Sequence, residues 1–186
     1  LTLSSDLKEK FVTDVKRITI SNSLTAATLN LEAGAEITEI LVLTIDLKKQ
    51  QFDGRIVENI ARQNPHKLLF LLRFEDKAQL AVYYAKLYTT AWLSYDEIML
   101  KVKGFTLDAV WQGFLEQIAL QDGLTEHKTG EDIDTKLQRQ EMILKLQKEI
   151  EKLEKRTQSE VQPKKKFDLY QQLQELNKKL EDTKNA

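Results

Sequence analysis

Apolar positions along this chain change their period several times, and each change marks an element. Behind the capping residues Ser4, Ser5 and Asp6, the side chains Leu7, Phe11, Val15 and Ile18 recur at spacings of four, four and three. That stripe lies on one helix face and predicts a helix from about residue 5 to about residue 19. From Ile37 to Leu47 the period shortens to two, with Ile37, Glu39, Leu41, Leu43, Ile45 and Leu47 on one strand face. Ala33-Gly34-Ala35 before it reads as a turn, preceded by a short strand at Leu29–Leu31. Asp53 caps a second helix carrying Ile56, Val57 and Ile60, which must stop near Asn64 because Pro65 disfavours a helical residue before it. Lys67–Phe74 is apolar on both faces and predicts a buried central strand. Glu75-Asp76-Lys77 then turns the chain into an antiparallel strand at Ala78–Lys86, and Leu87–Leu93 extends the meander. Thr106 caps a helix whose apolar side is Leu107, Val110, Trp111, Phe114, Leu115 and Ile118.

Beyond residue 121 the pattern is lost, and residues 121–131 hold two of the six glycines. Order returns as a coiled-coil seam, Ile143, Leu146, Ile150 and Leu153, repeated by Leu169, Leu173, Leu176 and Leu180. Thr157 to Pro163 breaks the register between the two runs, and Pro163 suits the first turn of a new helix. The expected organisation is an α+β domain over 1–121, a linker over 122–133 and a helical hairpin over 134–186. The sheet is expected to be mainly antiparallel and packed with helices, and the hairpin an antiparallel coiled coil.

Charge narrows the function. With 28 Lys+Arg against 29 Asp+Glu, no global field draws the chain to nucleic acid or anionic membrane, so such contacts need a local patch. No stretch approaches the roughly 18 apolar residues of a membrane span, and no signal peptide is visible; the expectation is a cytoplasmic protein without membrane contact. The chain begins at Leu1 without an initiator Met and reads as a fragment. The absence of cysteine removes disulfides, thiol nucleophiles and thiolate metal sites. Two histidines, His66 and His127, cannot by themselves furnish a metal or triad set, so no cofactor is expected and no catalytic or metal-ligating residues are assigned.

One string has catalytic character: Asp46-Leu47-Lys48, half of the D-x-K pattern of metal-dependent nucleases, in which an acid and a lysine serve a divalent ion. It needs a second carboxylate. Glu39 lies seven residues earlier on the same strand, about 23 Å away at roughly 3.3 Å per residue, leaving only Asp14 or Asp53, brought in by the tertiary fold. A solvated strand end is the favoured reading. Tyr83, Tyr84, Tyr88, Trp92 and Tyr95 could stack single-stranded bases, but only Lys77 and Lys86 lie among them, so sheet packing is preferred. The hairpin tip carries more information. Lys152, Lys155, Arg156, Lys164, Lys165 and Lys166 flank the break, opposed there by Glu151, Glu154 and Glu160, and folding the hairpin would gather these six cations at one end. Three lysines at a helix start also oppose the macrodipole, at about 0.3–1 kcal/mol each. A solvated tip stands beside the sharper reading, contact with nucleic acid or an acidic partner surface.

Several segments in order resemble a known family: Leu3-Ser-Ser-Asp-Leu-Lys-Glu-Lys-Phe-Val12, the strand Ile37 to Lys48, Leu68-Leu-Phe-Leu-Leu72 with Ala78-Gln-Leu-Ala-Val-Tyr-Tyr84, Thr89-Thr-Ala-Trp92, and Thr106-Leu-Asp-Ala-Val-Trp-Gln-Gly-Phe-Leu115. With Lys166-Phe-Asp-Leu-Tyr-Gln-Gln-Leu-Gln-Glu-Leu-Asn177 as closing helix, the chain resembles the bacterial domain of unknown function 4391. The resemblance implies a context, genes beside a helicase and a DNA methyltransferase in restriction-like phage-defence loci, and no catalytic residues. Relatives usually carry a stretch before Leu1 and a proline-flanked loop of which Pro65 alone remains; Asp46 falls where the family strand is often not acidic, against a nuclease. The expected function is a non-enzymatic adaptor whose hairpin binds a helicase or methyltransferase. The alternative is a nucleic-acid-binding or nuclease-like subunit using the tip, or Asp46 and Lys48. Oligomeric state is left open.

Overall fold

A computed structural model describes residues 4–120 and 131–185, and the chain divides into two compact units, Leu1–Ala119 and Leu120–Ala186. The first unit is built on a six-stranded sheet. In chain order it runs α1 (Ser5–Asp14), β1 (Val15–Leu24), α2 (Ala26–Leu29), β2 (Ile40–Leu47), α3 (Arg55–Arg62), β3 (Lys67–Phe74), β4 (Lys77–Tyr84), β5 (Lys86–Thr89), β6 (Leu93–Ser94), a 3₁₀ turn at Tyr95–Glu97, and α4 (Leu107–Ala119). The strands lie in the order β1-β2-β3-β4-β5, with β6 also pairing to β4. All pairings are antiparallel except β2–β3, which α3 joins as a parallel crossover. The fold is α+β with a mostly antiparallel sheet.

Several local expectations need correction. The first helix ends at Asp14 rather than near residue 19, and Val15 and Ile18 belong to β1. The β-branched run Val15 to Ile20 satisfies helix spacing and strand propensity alike, and pairing with β2 decides between them. Leu29–Leu31 forms no strand. A single helical turn closes at Leu29, capped by Thr25, whose side chain accepts from the Thr28 N–H, and left through Asn30 in the left-handed conformation. The strand expected from Ile37 begins at Ile40 because Asp108, at the start of α4, takes the backbone N–H groups of Ala35 and Ile37. The run Leu87–Leu93 is split into β5 and β6 at Thr90, whose N–H still donates to the Leu80 carbonyl at 3.0 Å while its hydroxyl, in place of its carbonyl, takes the Leu80 N–H at 3.1 Å; the carbonyl instead accepts from Gln79 Nε2 at 2.5 Å.

Other expectations hold. Asp53 accepts from the Arg55 N–H at 3.0 Å at the start of α3, which ends at Arg62, short of Asn64. β3 is central, between β2 and β4. One face of β2 and β3, with Leu43, Ile45, Leu47, Leu68, Phe70 and Leu72, forms the core together with Val57 of α3 and Ala81 of β4. The other face is less closed: Leu71 is only half-buried and, with Val42, Leu80, Tyr95 and Ile98, lines an open groove. In α4, Leu107, Val110, Trp111, Phe114, Leu115 and Ile118 are buried, and the helix packs against β4 and β5.

The second unit is the hairpin, α5 (Ile133–Ser159) and α6 (Pro163–Asn185). Asp132 caps α5 by accepting from the Thr135 N–H, and Pro163 opens α6. Ile143, Leu146, Ile150 and Leu180 form the buried seam with Leu173 and Leu176 against it, so the pair runs antiparallel. Most of the expected linker over 122–133 lies outside the described residues, and so does His127.

Candidate functional site

The D-x-K string ends in β2, and its acid serves a different purpose from metal ligation. The antiparallel register puts Arg17 of β1 opposite Asp46, and the parallel register puts Arg73 of β3 on its other side. Asp46 Oδ2 accepts from Arg17 Nε at 3.0 Å, and Oδ1 accepts from Arg73 Nε and Nη2 at 2.8 and 2.6 Å. Burial would push the Asp46 carboxyl up, but the hydrogen bonds and charges of Arg73 and Arg17 outweigh it and hold the group below its ordinary value of 3.8. A divalent ion at this carboxylate would face two guanidinium groups. Lys48 turns away and donates to the Val12 carbonyl at 2.7 Å.

The two carboxylates that the tertiary fold was needed to supply are engaged elsewhere. Asp14 is buried, ion-paired to Lys49 at 2.8 Å, and accepts from the Asp53 N–H at 2.9 Å and from Thr13 Oγ1 at 2.7 Å. Asp53 pairs with Arg55. Glu39 accepts from Ser23 Oγ and lies 3.3 Å from His66 Nδ1 at the surface. Among the described residues no group of three or more His, Asp or Glu side chains is placed to hold a metal ion, and these residues do not fit the nuclease pattern.

What the sequence did not reveal is the cleft around the Arg17–Asp46–Arg73 cluster. It has a volume of about 690 Å³ and is walled by Lys16, Tyr95 and Asp96. Arg73 lies over the Tyr95 ring at 5.8 Å. Arg17 and Asp46 are 29 residues apart, and Asp46 and Arg73 are 27 apart, so strand register was the only signal that could have joined them. The other aromatics disperse. Trp92 packs against the core of the sheet, Tyr83 accepts from Arg62 Nε at 2.8 Å, and Lys86 covers the Tyr88 ring.

Two carboxylates, Asp14 buried and Asp46 half-buried, set an acid limit. For Asp14 as for Asp46, burial opposes ionisation, and hydrogen bonds from Lys49, Thr13 and the Asp53 backbone together with the Lys49 charge prevail, leaving the pKa below 3.8. Because the folded value is the lower one, the stabilisation is fully present above 3.8 and is lost as pH falls from there through the lower folded value. Urea titrations should give constant stability from pH 7 to about 5 and a decline below about 4; a flat profile to about pH 3 would mean that neither carboxylate is coupled to folding. Asp46→Asn should cost about 1–3 kcal/mol in the same titration, by leaving the half-buried Arg73 guanidinium without its counter-charge, while Arg17, 67% exposed, is solvated by water.

The tip residues come to the last turns of α5 and the first turn of α6, which contains no acidic residue. Lys155 is paired with Glu151 at 2.6 Å, which raises the lysine pKa and lowers that of the glutamate. Among the described residues, Lys152, Arg156, Lys164, Lys165 and Lys166 have no carboxylate within ion-pair distance. Lys152 and Arg156 turn to one side of the hairpin, where with Lys179, Glu149 and Glu175 they rim a groove of about 480 Å³ over Leu153 and Leu176. Beside the tip, Val161, Phe167 and Tyr170 are 89%, 61% and 52% exposed. Neither Lys179 nor this apolar row was singled out from the sequence, although Phe167 and Tyr170, three apart and off the seam, carried the signal.

An α+β unit with a mostly antiparallel sheet, followed by an α-helical hairpin whose tip is cationic, is the class of protein that these features define. The chain belongs to the domain of unknown function family DUF4391, which matches residues 1–180 and so takes in the hairpin. No curated protein and no solved structure matches it. Among the described residues no helix is long and apolar enough to cross a membrane.

Proposed function

We propose that this protein is a non-enzymatic adaptor whose hairpin engages a partner protein. The observation that carries this reading is the exposure of Val161, Phe167 and Tyr170 at the end of the hairpin where Lys164, Lys165 and Lys166 have no ion-pair partner among the described residues. Large apolar side chains held in water next to fixed charge are the composition of an interface core with a polar rim. The partner that fits presents an apolar patch edged with carboxylates. The family resemblance points to a helicase or DNA methyltransferase of a restriction-like defence locus. The test is co-expression with each, followed by size-exclusion chromatography. Phe167→Ser with Tyr170→Ser removes exposed apolar surface without touching the seam and should abolish the complex; an undiminished complex would overturn the reading.

The tip cations that have no ion-pair partner among the described residues also favour a second reading, contact between the tip and nucleic acid. Changing Lys164, Lys165 and Lys166 to Ser separates the two. Binding through the apolar row should survive the change. Binding to a duplex phosphate backbone should weaken, with the slope of log affinity against log salt falling by up to about 0.9 per lost contact.

A further inference from the structure

β1 is an end strand of the sheet, ten residues long and exposed from Lys16 to Ser23. An uncovered edge presents a row of backbone donors and acceptors to any strand that can lie beside it. Edges are commonly blunted by charge or proline along their middle, but the middle of β1 is Ile18-Thr19-Ile20, with Ile18 40% and Ile20 62% exposed. We propose that this edge pairs antiparallel with β1 of a second copy of the chain, about a two-fold axis at Thr19.

The register follows from geometry. Outward-pointing backbone groups alternate along a strand, so residues that face each other across a symmetric antiparallel pair must share parity. Symmetric pairing can therefore centre on Ile18, Thr19 or Ile20. Centring on Ile18 sets Ile20 against Lys16, and centring on Ile20 sets Ile18 against Asn22. Only the Thr19 centre sets Ile18 of each copy against Ile20 of the other, on one face, and Thr19 against Thr19 on the opposite face, both favourable cross-strand pairs. The cations comply as well. Arg17 meets Ser21, and the two Arg17 positions stand about 13 Å apart at roughly 3.3 Å per residue, beyond the Debye length of about 8 Å at physiological salt.

The edge also limits its own pairing. Register shifts against β2 fall between Val15 and Arg17 and between Ile20 and Asn22, so the regular stretch is short and centred near Thr19. Such an interface lies below the roughly 1,200 Å² of a stable complex and gives a weak dimer, with a dissociation constant on the order of 0.1 mM. Weakness is no obstacle to use. Two copies carry two hairpins, and a bivalent adaptor gains avidity from a partner that is itself dimeric or arrayed.

The test uses the full chain, which has no cysteine of its own. Thr19→Cys places two thiols across the axis, so mild oxidation or a short bismaleimide should convert it to a covalent dimer. Ile18→Cys and Ile20→Cys should cross-link poorly alone and efficiently when mixed, since each faces the other. Sedimentation of the cysteine-free chain should show reversible dimerisation, weakened about tenfold in Ile20→Lys, which removes both Ile–Ile pairs. A monomer up to about 1 mM, or cross-linking of Ile18→Cys alone as fast as Thr19→Cys, would overturn the proposal; the first result would leave the edge to an extended segment of another protein. None of these variants touches Phe167 or Tyr170, so failure here and failure of the adaptor reading are separate results.

Discussion

Ile150→Asp together with Leu173→Asp is expected to open the hairpin and leave the sheet unit folded. Ile150 is in the buried seam and Leu173 packs against it from α6. A carboxylate at Ile150 enters a buried apolar site with no partner, at roughly 3–5 kcal/mol for a buried unpaired charge, and one at the partly buried Leu173 adds a smaller penalty. The hairpin cannot absorb both penalties. Its buried seam comprises Ile143, Leu146, Ile150, Leu153 and Leu180, against helices of 27 and 23 residues whose ordering costs about 1–2 kcal/mol per residue before hydrogen bonding is counted. Circular dichroism should show the loss of most helical signal, while near-ultraviolet bands from Trp92 and Trp111, both in the sheet unit, persist. If the hairpin docks the partner, binding must disappear with it. Binding that survives the opened hairpin would move the docking surface elsewhere.

Phe70→Ala should be the most damaging single truncation in the sheet unit, at about 3–5 kcal/mol. Phe70 is fully buried on the central strand, between Leu43 of β2 and Ala81 of β4 in register. Its neighbours in the core come from three strands and from α3, so the void cannot be refilled by moving one element, and the cavity cost adds to the lost transfer energy. Leu71→Ala, one residue along and half-buried on the open face, should cost less than about 1.5 kcal/mol. Denaturant titration of the pair reads the difference between the two faces directly. Equal losses would mean that the groove lined by Leu71 is closed in solution.

These two variants also mark where local pattern sufficed. The seam from Ile143 to Leu153, the start of α6 at Pro163 and the bounds of β3 rest on periodicity and turn chemistry within a few residues, and all are present as expected; β4, expected to reach Lys86, ends at Tyr84 because Ala85 takes a positive φ and Lys86 opens β5. Errors arose where one segment satisfied two periods or where a distant group intervened. Val15 and Ile18 fit a helix stripe and a strand; β2 made the choice. Asp108 delays the start of β2 from a position over seventy residues away, and Thr90 interrupts the meander by bonding to β4 through its side chain.

The candidate sites divide in the same way. The cations of the tip were readable because they flank one local break, and a hairpin necessarily brings its two flanks together. The exposed row Val161, Phe167 and Tyr170 was readable in principle as apolar positions off the seam.

By itself, then, the amino-acid order determined the elements with a single unambiguous period, the hairpin and the character of its tip, because those depend on interactions within a few turns of chain. Tertiary structure alone decided the parallel β2–β3 pairing, the exposed β1 edge and the partners of Asp46. Each of these depends on which strands become neighbours and in what register. A one-residue slip would turn Asp46 to the other face of the sheet, and no local propensity distinguishes the two registers.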